Sequence, residues 1–203
     1  MAVDSGILRV IDTSSDVELA GRCAAGDREA QRALFEKLRR PLHATLYRVM
    51  GTNAQMEDLL QDAFLEIFRS LRSYRGEASL ATWADRIAAR VAYRYLSSRE
   101  PVPTASDMLP SLQVVEDLCE HEMQVREAGR RLYALLARLA PKYRVAFALH
   151  VIDGRPLREV ARVTGVSLIA AKNRVWRARR QVDRLARKDR VLVELLQNGE
   201  NRR

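Results

Sequence analysis

Apolar residues recur every three or four positions along most of this chain, which is the spacing of amphipathic α-helices. The cleanest stretch lies between residues 56 and 71, where each inner position is apolar: Met56, Leu59, Leu60, Ala63, Phe64, Ile67, Phe68 and Leu71. No convincing alternation of period two occurs, so the pattern predicts an all-α protein without a sheet.

The helical pattern starts near Asp16 and continues to about Ser98. Within it, Pro41 predicts a break or kink, because proline lacks the N–H of a helical hydrogen bond and its ring clashes with the preceding turn. Gly51 is expected to end this first long segment as a C′ residue. A polar, glycine-containing turn at residues 74–79 separates the next two helices.

A change of composition divides the chain into two helical domains. Between residues 101 and 127 there are three prolines, six acidic residues and one basic residue, which is typical of a flexible linker that becomes helical from about Leu112. The predicted segments are an N-terminal arm (1–15), a first helical domain (16–99), an acidic linker (100–127), a second helical domain (128–196) and a frayed tail (197–203).

The most informative segment, residues 157–180, reads LREVARVTGVSLIAAKNRVWRARR and predicts a helix-turn-helix. Gly165 suits a turn position with positive φ, and Ser167 suits the N-cap of the second helix. The inner positions of the first helix are Leu157, Val160 and Ala161. The inner stripe of the second helix is predicted to be Leu168, Ala171, Val175, Ala178 and Val182.

Charge points to a polyanionic partner. The net charge is +9 and the pI about 10.1, values that alone would also suit an anionic membrane surface. From residue 172 to residue 190, however, the sequence has nine Lys or Arg residues and only two Asp residues. This excess of cations is too large for a helix surface whose charges are mostly paired in salt bridges. Combined with the turn pattern, this charge excess predicts contact with DNA or RNA, and the helix-turn-helix itself favours duplex DNA.

The remaining chemistry argues against an enzyme. Cys23 and Cys119 lie far apart without metal-ligand spacing, and His43, His121 and His150 have no partners in a recognisable catalytic motif. No cofactor or metal is expected. No apolar run approaches the roughly 20 residues needed to span a bilayer, and no secretory signal is evident, so a cytoplasmic location is expected without membrane insertion.

Several motifs together resemble the extracytoplasmic-function (ECF) group of bacterial RNA polymerase sigma factors, in the sigma-70 family. In the first domain they are EDLLQDAFL at residues 57–65, then Tyr74-Arg75-Gly76-Glu77, Thr82-Trp83 and Arg86-Ile87-Ala88. In the second they are Leu139-Ala140-Pro141-Lys142-Tyr143-Arg144, the helix-turn-helix, and Lys172-Asn173-Arg174 followed by Arg177-Ala178-Arg179. The resemblance covers residues 16–99, as sigma region two, and residues 128–185, as sigma region four.

The resemblance implies a dissociable subunit that directs promoter recognition and melting, with RNA polymerase core (clamp coiled coil and flap), promoter DNA and an anti-sigma protein as partners. Core binding would use Asp58, Gln61, Asp62 and Leu65, which face away from the apolar stripe. The melted non-template strand of the minus-ten element would contact Tyr74, Arg75, Gly76, Glu77, Ser79, Arg86, Arg90, Tyr93 and Arg94. The duplex minus-thirty-five element would contact Ser167, Ile169, Ala170, Lys172, Asn173, Arg174, Trp176, Arg177 and Arg180.

The chain departs from the family's pattern at several of these positions. The family commonly has Asn where Arg90 stands and Asp where Arg94 stands, and Arg offers donors but no acceptor to a base. In the recognition helix, Ile169-Ala170 replaces a common Gly-Thr pair. An isoleucine there would contact a thymine methyl or hold the backbone farther from phosphate. Trp83 is expected to be a core residue rather than a stacking platform.

Two other functions fit parts of the sequence. A stand-alone helix-turn-helix regulator with a helical sensing domain would explain the second domain, but it has no use for the EDLLQDAFL run or the loop at residues 74–79. A nucleic-acid-modifying enzyme would need a metal or catalytic constellation, and none is found in the sequence.

Overall fold

The computed structural model describes residues 13–51, 55–98, 120–189, 191 and 193, and within these ranges every regular element is helical. The predicted all-α class is therefore confirmed. The first domain consists of four helices: α1 (Ser14–Ala24), α2 (Arg28–Met50), α3 (Met56–Ser70) and α4 (Leu80–Ser98). The predicted N-terminal arm, linker and tail lie largely outside the described residues.

The first break in the helical pattern falls at residues 25–27. Of the break or kink predicted at Pro41, the break is wrong, since α2 continues through this residue. Gly26 has a φ of 90°, and the Asp27 side chain caps α2 by accepting hydrogen bonds from the backbone of Glu29 and Ala30. Helix α2 runs through Pro41, because the helix is anchored on both sides of the proline by fully buried leucines (Leu34, Leu38, Leu42 and Leu46). Tertiary packing thus outweighs the local cost of the missing hydrogen bond.

Helix α2 ends as predicted. Gly51 has a φ of 69° and donates its N–H to the carbonyl of Tyr47 at 2.7 Å. A Cβ added at Gly51 would lie 2.8 Å from the Tyr133 ring of the second domain, so this position needs glycine both for its backbone angle and for its close approach.

The second domain contains α5 (Glu120–Ala137), α6 (Pro141–Phe147), α7 (Leu157–Thr164) and α8 (Leu168–Ala186). A single π-helical turn, Ala148–Ile152, extends α6. Helices α7 and α8 form the predicted helix-turn-helix.

The turn between α7 and α8 has the predicted chemistry. Gly165 has the left-handed backbone conformation, with a φ of 65°. The Ser167 hydroxyl accepts a hydrogen bond from the Ala170 amide at 3.2 Å. Four of the predicted inner residues of α8 are buried: Ala171, Val175, Ala178 and Val182. The fifth, Leu168, is 46% exposed, so its prediction as an inner residue is wrong. It is the first residue of the helix and projects beyond the edge of the core.

The two domains pack against each other. One continuous set of buried apolar side chains includes residues of α2, α3 and α4 together with residues of α6, α7 and α8, such as Val145, Leu149 and Val160. A smaller cluster of Leu136, Leu139, Phe147, Ala178 and Val182 holds α5 and α8 to α6. In this arrangement the outer face of α8 remains exposed.

Candidate nucleic-acid interface

The outer face of α8 is a cationic surface. Between Leu168 and Val182 the helix carries five Lys or Arg residues and no acidic residue. Most of the predicted contact residues are exposed here: Ser167, Ile169, Lys172, Asn173, Trp176, Arg177 and Arg180. Ala170 is half-buried. The inner stripe fixes the rotation of α8, so the same face of the helix is always presented to solvent.

Local contacts order several of these side chains. The Arg180 guanidinium lies 4.9 Å from the centre of the Trp176 ring, a cation–π arrangement on the exposed surface. Arg177 donates a hydrogen bond to the Tyr143 hydroxyl at 3.3 Å, and this bond lowers the pKa of Tyr143. Arg174 differs from the rest, because it is only partly exposed and its Nη1 atom is buried without a hydrogen-bond partner.

A second candidate surface is the loop before α4. A pocket of about 380 Å³ is lined there by Ser73, Tyr74, Arg75, Glu77, Ala78, Trp83 and Arg86. Arg75 and Glu77 are exposed at the pocket, whereas Tyr74 is only 9% exposed. The pocket therefore combines an aromatic wall with charged groups, a combination suited to a stacked and hydrogen-bonded base.

The buried side chain of Tyr74 stabilises this loop. Its hydroxyl donates a hydrogen bond to the Ala78 carbonyl at 2.7 Å, and its ring packs against Trp83 with centroids 5.4 Å apart. Burial raises the pKa of Tyr74, so the phenol remains a hydrogen-bond donor at neutral pH. Trp83 is half-buried, packs against the core and also lines the pocket, so its expected role as a core residue rather than a stacking platform stays a prediction.

Helix α1 supports the loop through contacts that the sequence analysis missed. The Thr13 hydroxyl donates to the Gly76 carbonyl at 2.9 Å, and Asp16 accepts the Leu80 amide at 2.7 Å where α4 begins. Asp16 also pairs with Lys37 of α2 at 2.5 Å. The sequence held a signal for this role, because Asp16 shares the inner face of α1 with Ala20 and Cys23. An acidic residue on a buried face requires partners.

The predicted cations of α4 have different surroundings. Arg90 is exposed, and Tyr93 is half-buried against the core. Arg94 is also exposed but forms an ion pair with Glu66 of α3. Arg86 lines the loop pocket, and its Nε atom is buried without a hydrogen-bond partner, 3.8 Å from a carboxylate oxygen of Glu159 in the second domain.

The face of α3 that points away from the core carries the four residues predicted for polymerase binding. Asp58, Gln61, Asp62 and Leu65 are all exposed, with Leu65 at 44%. Nearby on α2, Phe35 is 40% exposed and packs on Phe64, with ring centroids 4.6 Å apart. The surface is thus a mixed acidic and apolar patch, unlike the cationic face of α8.

An ionic network, which the sequence analysis also missed, joins the two domains. Its centre is Arg155, whose side chain is 7% exposed and contacts Asp85 at 2.6 Å, Asp153 at 2.5 Å and Glu159 at 3.1 Å. Asp153 also pairs with Arg48 of α2 at 2.5 Å. Burial raises the pKa of Asp85, an effect that Arg155 and a hydrogen bond from Thr45 oppose.

The described part of the chain shows no metal site and no membrane-spanning helix. Cys23 is buried as a free thiol, and His150 bonds the Arg155 carbonyl through Nδ1 at 2.7 Å. The side chains of Cys119 and His121 lie outside the described residues. Across the described positions no cluster of His, Cys, Asp and Glu could hold a metal ion, and no helix there is long and apolar enough to cross a membrane.

A helix-turn-helix with a cationic outer face, packed on a helical domain with a loop pocket, defines the chain as a two-domain nucleic-acid-binding protein. Comparison with known families is more specific. The Sigma-70 region 2 model matches residues 34–101, and the Sigma-70 region 4 model matches residues 129–182.

Relatives of known function match most of the chain. The chain is similar to the ECF RNA polymerase sigma factor SigM of Mycobacterium tuberculosis, at 32% identity over 171 residues, which cover 84% of each chain. It is also similar to the ECF RNA polymerase sigma-E factor of Haemophilus influenzae, at 26% identity over 179 residues, covering 83% of this chain and 94% of that protein. The protein belongs to the sigma-70 family, in its ECF group, and is a sigma subunit for transcription initiation.

A solved structure shows the same fold. CnrH in complex with the cytosolic domain of CnrY aligns with a TM-score of 0.58 and 21% identity, covering 86% of this chain and 99% of that chain. The matches of the two family models and of SigM confirm the predicted family. The alternative of a stand-alone regulator is not favoured, because the family models match both domains.

Proposed function

We propose that the protein binds RNA polymerase core through α3, captures the melted minus-ten strand at the loop pocket, and reads the minus-thirty-five duplex with α8. It performs no bond chemistry of its own and acts in the bacterial cytoplasm. The observation that carries this proposal is the outer face of α8, which is cationic, lacks acidic residues up to Val182 and is exposed in a helix-turn-helix.

The duplex contact follows from the chemistry of that face. Lys172, Arg177 and Arg180 supply cations for phosphate or guanine. The Asn173 amide can accept a hydrogen bond from N6 of adenine and donate one to N7 in the major groove. Ser167 places the amino end of α8 at the surface, where backbone N–H groups favour an anion. Arg174 is turned partly inward, so we assign it a smaller contribution than its neighbours on α8.

The single-strand contact is supported by the loop pocket. A base turned out of the stack needs a cavity with an aromatic wall and polar groups, and the pocket at residues 73–78 offers both. Tyr74 forms part of the wall, and Arg75 and Glu77 also line the pocket. Ser79 ends the loop immediately before α4. Arg86 has an unsatisfied buried Nε atom beside the pocket and can donate to a nucleotide there.

The departures on α4 indicate a contact that depends more on phosphate than on base edges. Arg90 is exposed and can donate only, so it suits a phosphate oxygen better than a base that needs both a donor and an acceptor. Arg94 is held by Glu66, so a DNA contact there requires this exposed ion pair to break. Such pairs contribute only about 0–1 kcal/mol.

The polymerase contact is supported by the α3 patch. Asp58, Gln61 and Asp62 offer carboxylates and an amide on one helix face, and Leu65 adds an exposed apolar group at the same face. A helix-to-helix contact with the clamp coiled coil would bury Leu65 and pair the carboxylates with cations. An anti-sigma protein that covers this patch would block core binding.

The decisive experiment is transcription from a genomic library with core polymerase and the purified protein. Wild type is expected to give discrete start sites that share two upstream elements. The double variant Lys172→Ala/Arg177→Ala should lose most of these starts, whereas Arg187→Ala, beyond the proposed contact face, should retain them. Absence of any specific start with wild type would overturn the proposal.

A further inference from the structure

Ile169 is the most exposed of the large apolar side chains in the described part of the chain. It is 74% exposed, and the next highest value is 56%, for Trp176. Isoleucine is among the residues most often fully buried in proteins, so this exposure needs an explanation. Ile169 is also absent from both buried clusters of the protein.

The surroundings of Ile169 indicate which partner covers it. Lys172 and Asn173 lie three and four residues later, on the same face of α8, and both are exposed. No acidic side chain occurs on α8 before Asp183. A cationic surface with an apolar tip at the start of a recognition helix is complementary to the major groove of DNA.

We propose that Ile169 reads the 5-methyl group of a thymine in the minus-thirty-five element; this inference rests on the proposed function. The isoleucine side chain has no hydrogen-bonding group, and the thymine methyl is the apolar feature that base edges present in the major groove. Among the four bases only thymine presents a methyl group in the major groove, so this contact makes Ile169 a specificity determinant of the chain.

The same geometry limits where that thymine lies. Ile169 precedes Asn173 by four residues, an axial distance of about 6 Å along a helix. Base pairs follow each other about every 3.4 Å. The thymine that Ile169 contacts is therefore within about two base-pair steps of the pair that Asn173 contacts.

The test removes one methyl group from the DNA. Holoenzyme first selects promoters from a library with a randomised minus-thirty-five element, and each thymine of the selected element is then replaced singly by deoxyuridine. At one position this replacement is expected to weaken promoter binding by wild type about fourfold, the effect of burying one methyl group. With Ile169→Ala the same replacement should have no effect, because the methyl has no apolar partner to lose.

The matched control is Val151→Ala, which shortens another exposed β-branched side chain of the second domain, 38% exposed and outside α8. This variant should keep the deoxyuridine effect of wild type. Ile169 is exposed, so Ile169→Ala is expected to fold, and alanine favours the helix.

Four outcomes overturn the inference. The first is a selected minus-thirty-five element that contains no thymine, because Ile169 would then have no methyl group to contact. If wild type initiates normally but binds the promoter equally well with deoxyuridine at every thymine position, only the methyl contact is overturned. The proposed function then remains. An equal deoxyuridine effect in Ile169→Ala assigns the methyl to another residue. Failure of wild type to initiate at any promoter overturns the proposed function together with this inference.

Discussion

At the scale of single residues, Asp16 connects the first helix to the loop that precedes α4. Its carboxylate accepts the Leu80 amide and pairs with Lys37 of α2, although it lies on the buried face of α1. Burial opposes ionisation of Asp16, but the hydrogen bonds from Leu80 and Lys37 outweigh that effect and lower its pKa. The ionised form is therefore favoured in the folded protein.

Asp16→Asn is expected to lower the free energy of unfolding at neutral pH by about 2 kcal/mol, the value of hydrogen bonds to a charged group. Because the pKa of Asp16 is lowered on folding, its stabilisation is fully present above the unfolded value of 3.8 and is lost as the pH falls through the folded value. Urea unfolding from neutral to acidic pH measures the difference between variant and wild type.

The control for this series is Glu18→Gln, which removes an exposed carboxylate from the same helix. It should change stability little at any pH. A stability difference for Asp16→Asn that stays constant below pH 3.8 would contradict the role assigned to the ionised carboxylate.

At the scale of elements, α3 has a buried face and an exposed face on opposite sides of the helix. Its inner face is buried through Leu59, Ala63 and Ile67, whereas its outer face presents Asp58 and Leu65. Substitutions on the outer face can therefore alter binding without opening the core.

Asp58→Arg is expected to weaken binding to RNA polymerase core at least tenfold, about 1.4 kcal/mol or more, because it reverses a charge in the proposed contact patch. Titration of labelled protein with core polymerase measures this change. The thermal unfolding midpoint should remain close to that of wild type.

Glu18→Arg, the same charge reversal on exposed α1, provides the control and should bind core like wild type. Equal core affinity of Asp58→Arg and wild type would show that the α3 patch is not the polymerase contact.

At the scale of the whole molecule, the ionic network around Arg155 crosses the interface between the two domains. Asp85 belongs to α4, whereas Arg155, Asp153 and Glu159 belong to the second domain, so the Arg155–Asp85 pair crosses the interface. The same interface brings Glu159 within 3.8 Å of Arg86 at the loop pocket.

Arg155→Ala is expected to lower the free energy of unfolding by about 3–5 kcal/mol, because it leaves neighbouring carboxylates without their buried cation. Loss of the central cation should also loosen the domain interface. Denaturant unfolding measures the first effect, and the radius of gyration from small-angle X-ray scattering measures the second.

Arg158→Ala, on the exposed side of α7, is the matched control and should change neither quantity. An unchanged radius of gyration for Arg155→Ala would show that apolar packing alone holds the domains together.

The sequence by itself determined the helical class, the turn chemistry of Gly51, Gly165 and Ser167, and the buried stripe of α3. These features follow from local rules, since helical periodicity, positive φ and capping depend on neighbouring residues. The family likewise follows from two contiguous motifs, EDLLQDAFL and the helix-turn-helix, because each can be recognised in the sequence without knowledge of the fold.

Tertiary structure decided what depends on distant neighbours. Pro41 continues a helix because leucines on both sides are buried, and Leu168 is exposed because the core ends beneath it. Asp16 and Arg155 have distant partners, Leu80 at 64 residues and Asp85 at 70 residues along the chain. The inner face of α1 signals that Asp16 needs a partner, but no local pattern identifies Leu80 or Asp85. Contacts between residues far apart in the chain exist only once the helices have packed.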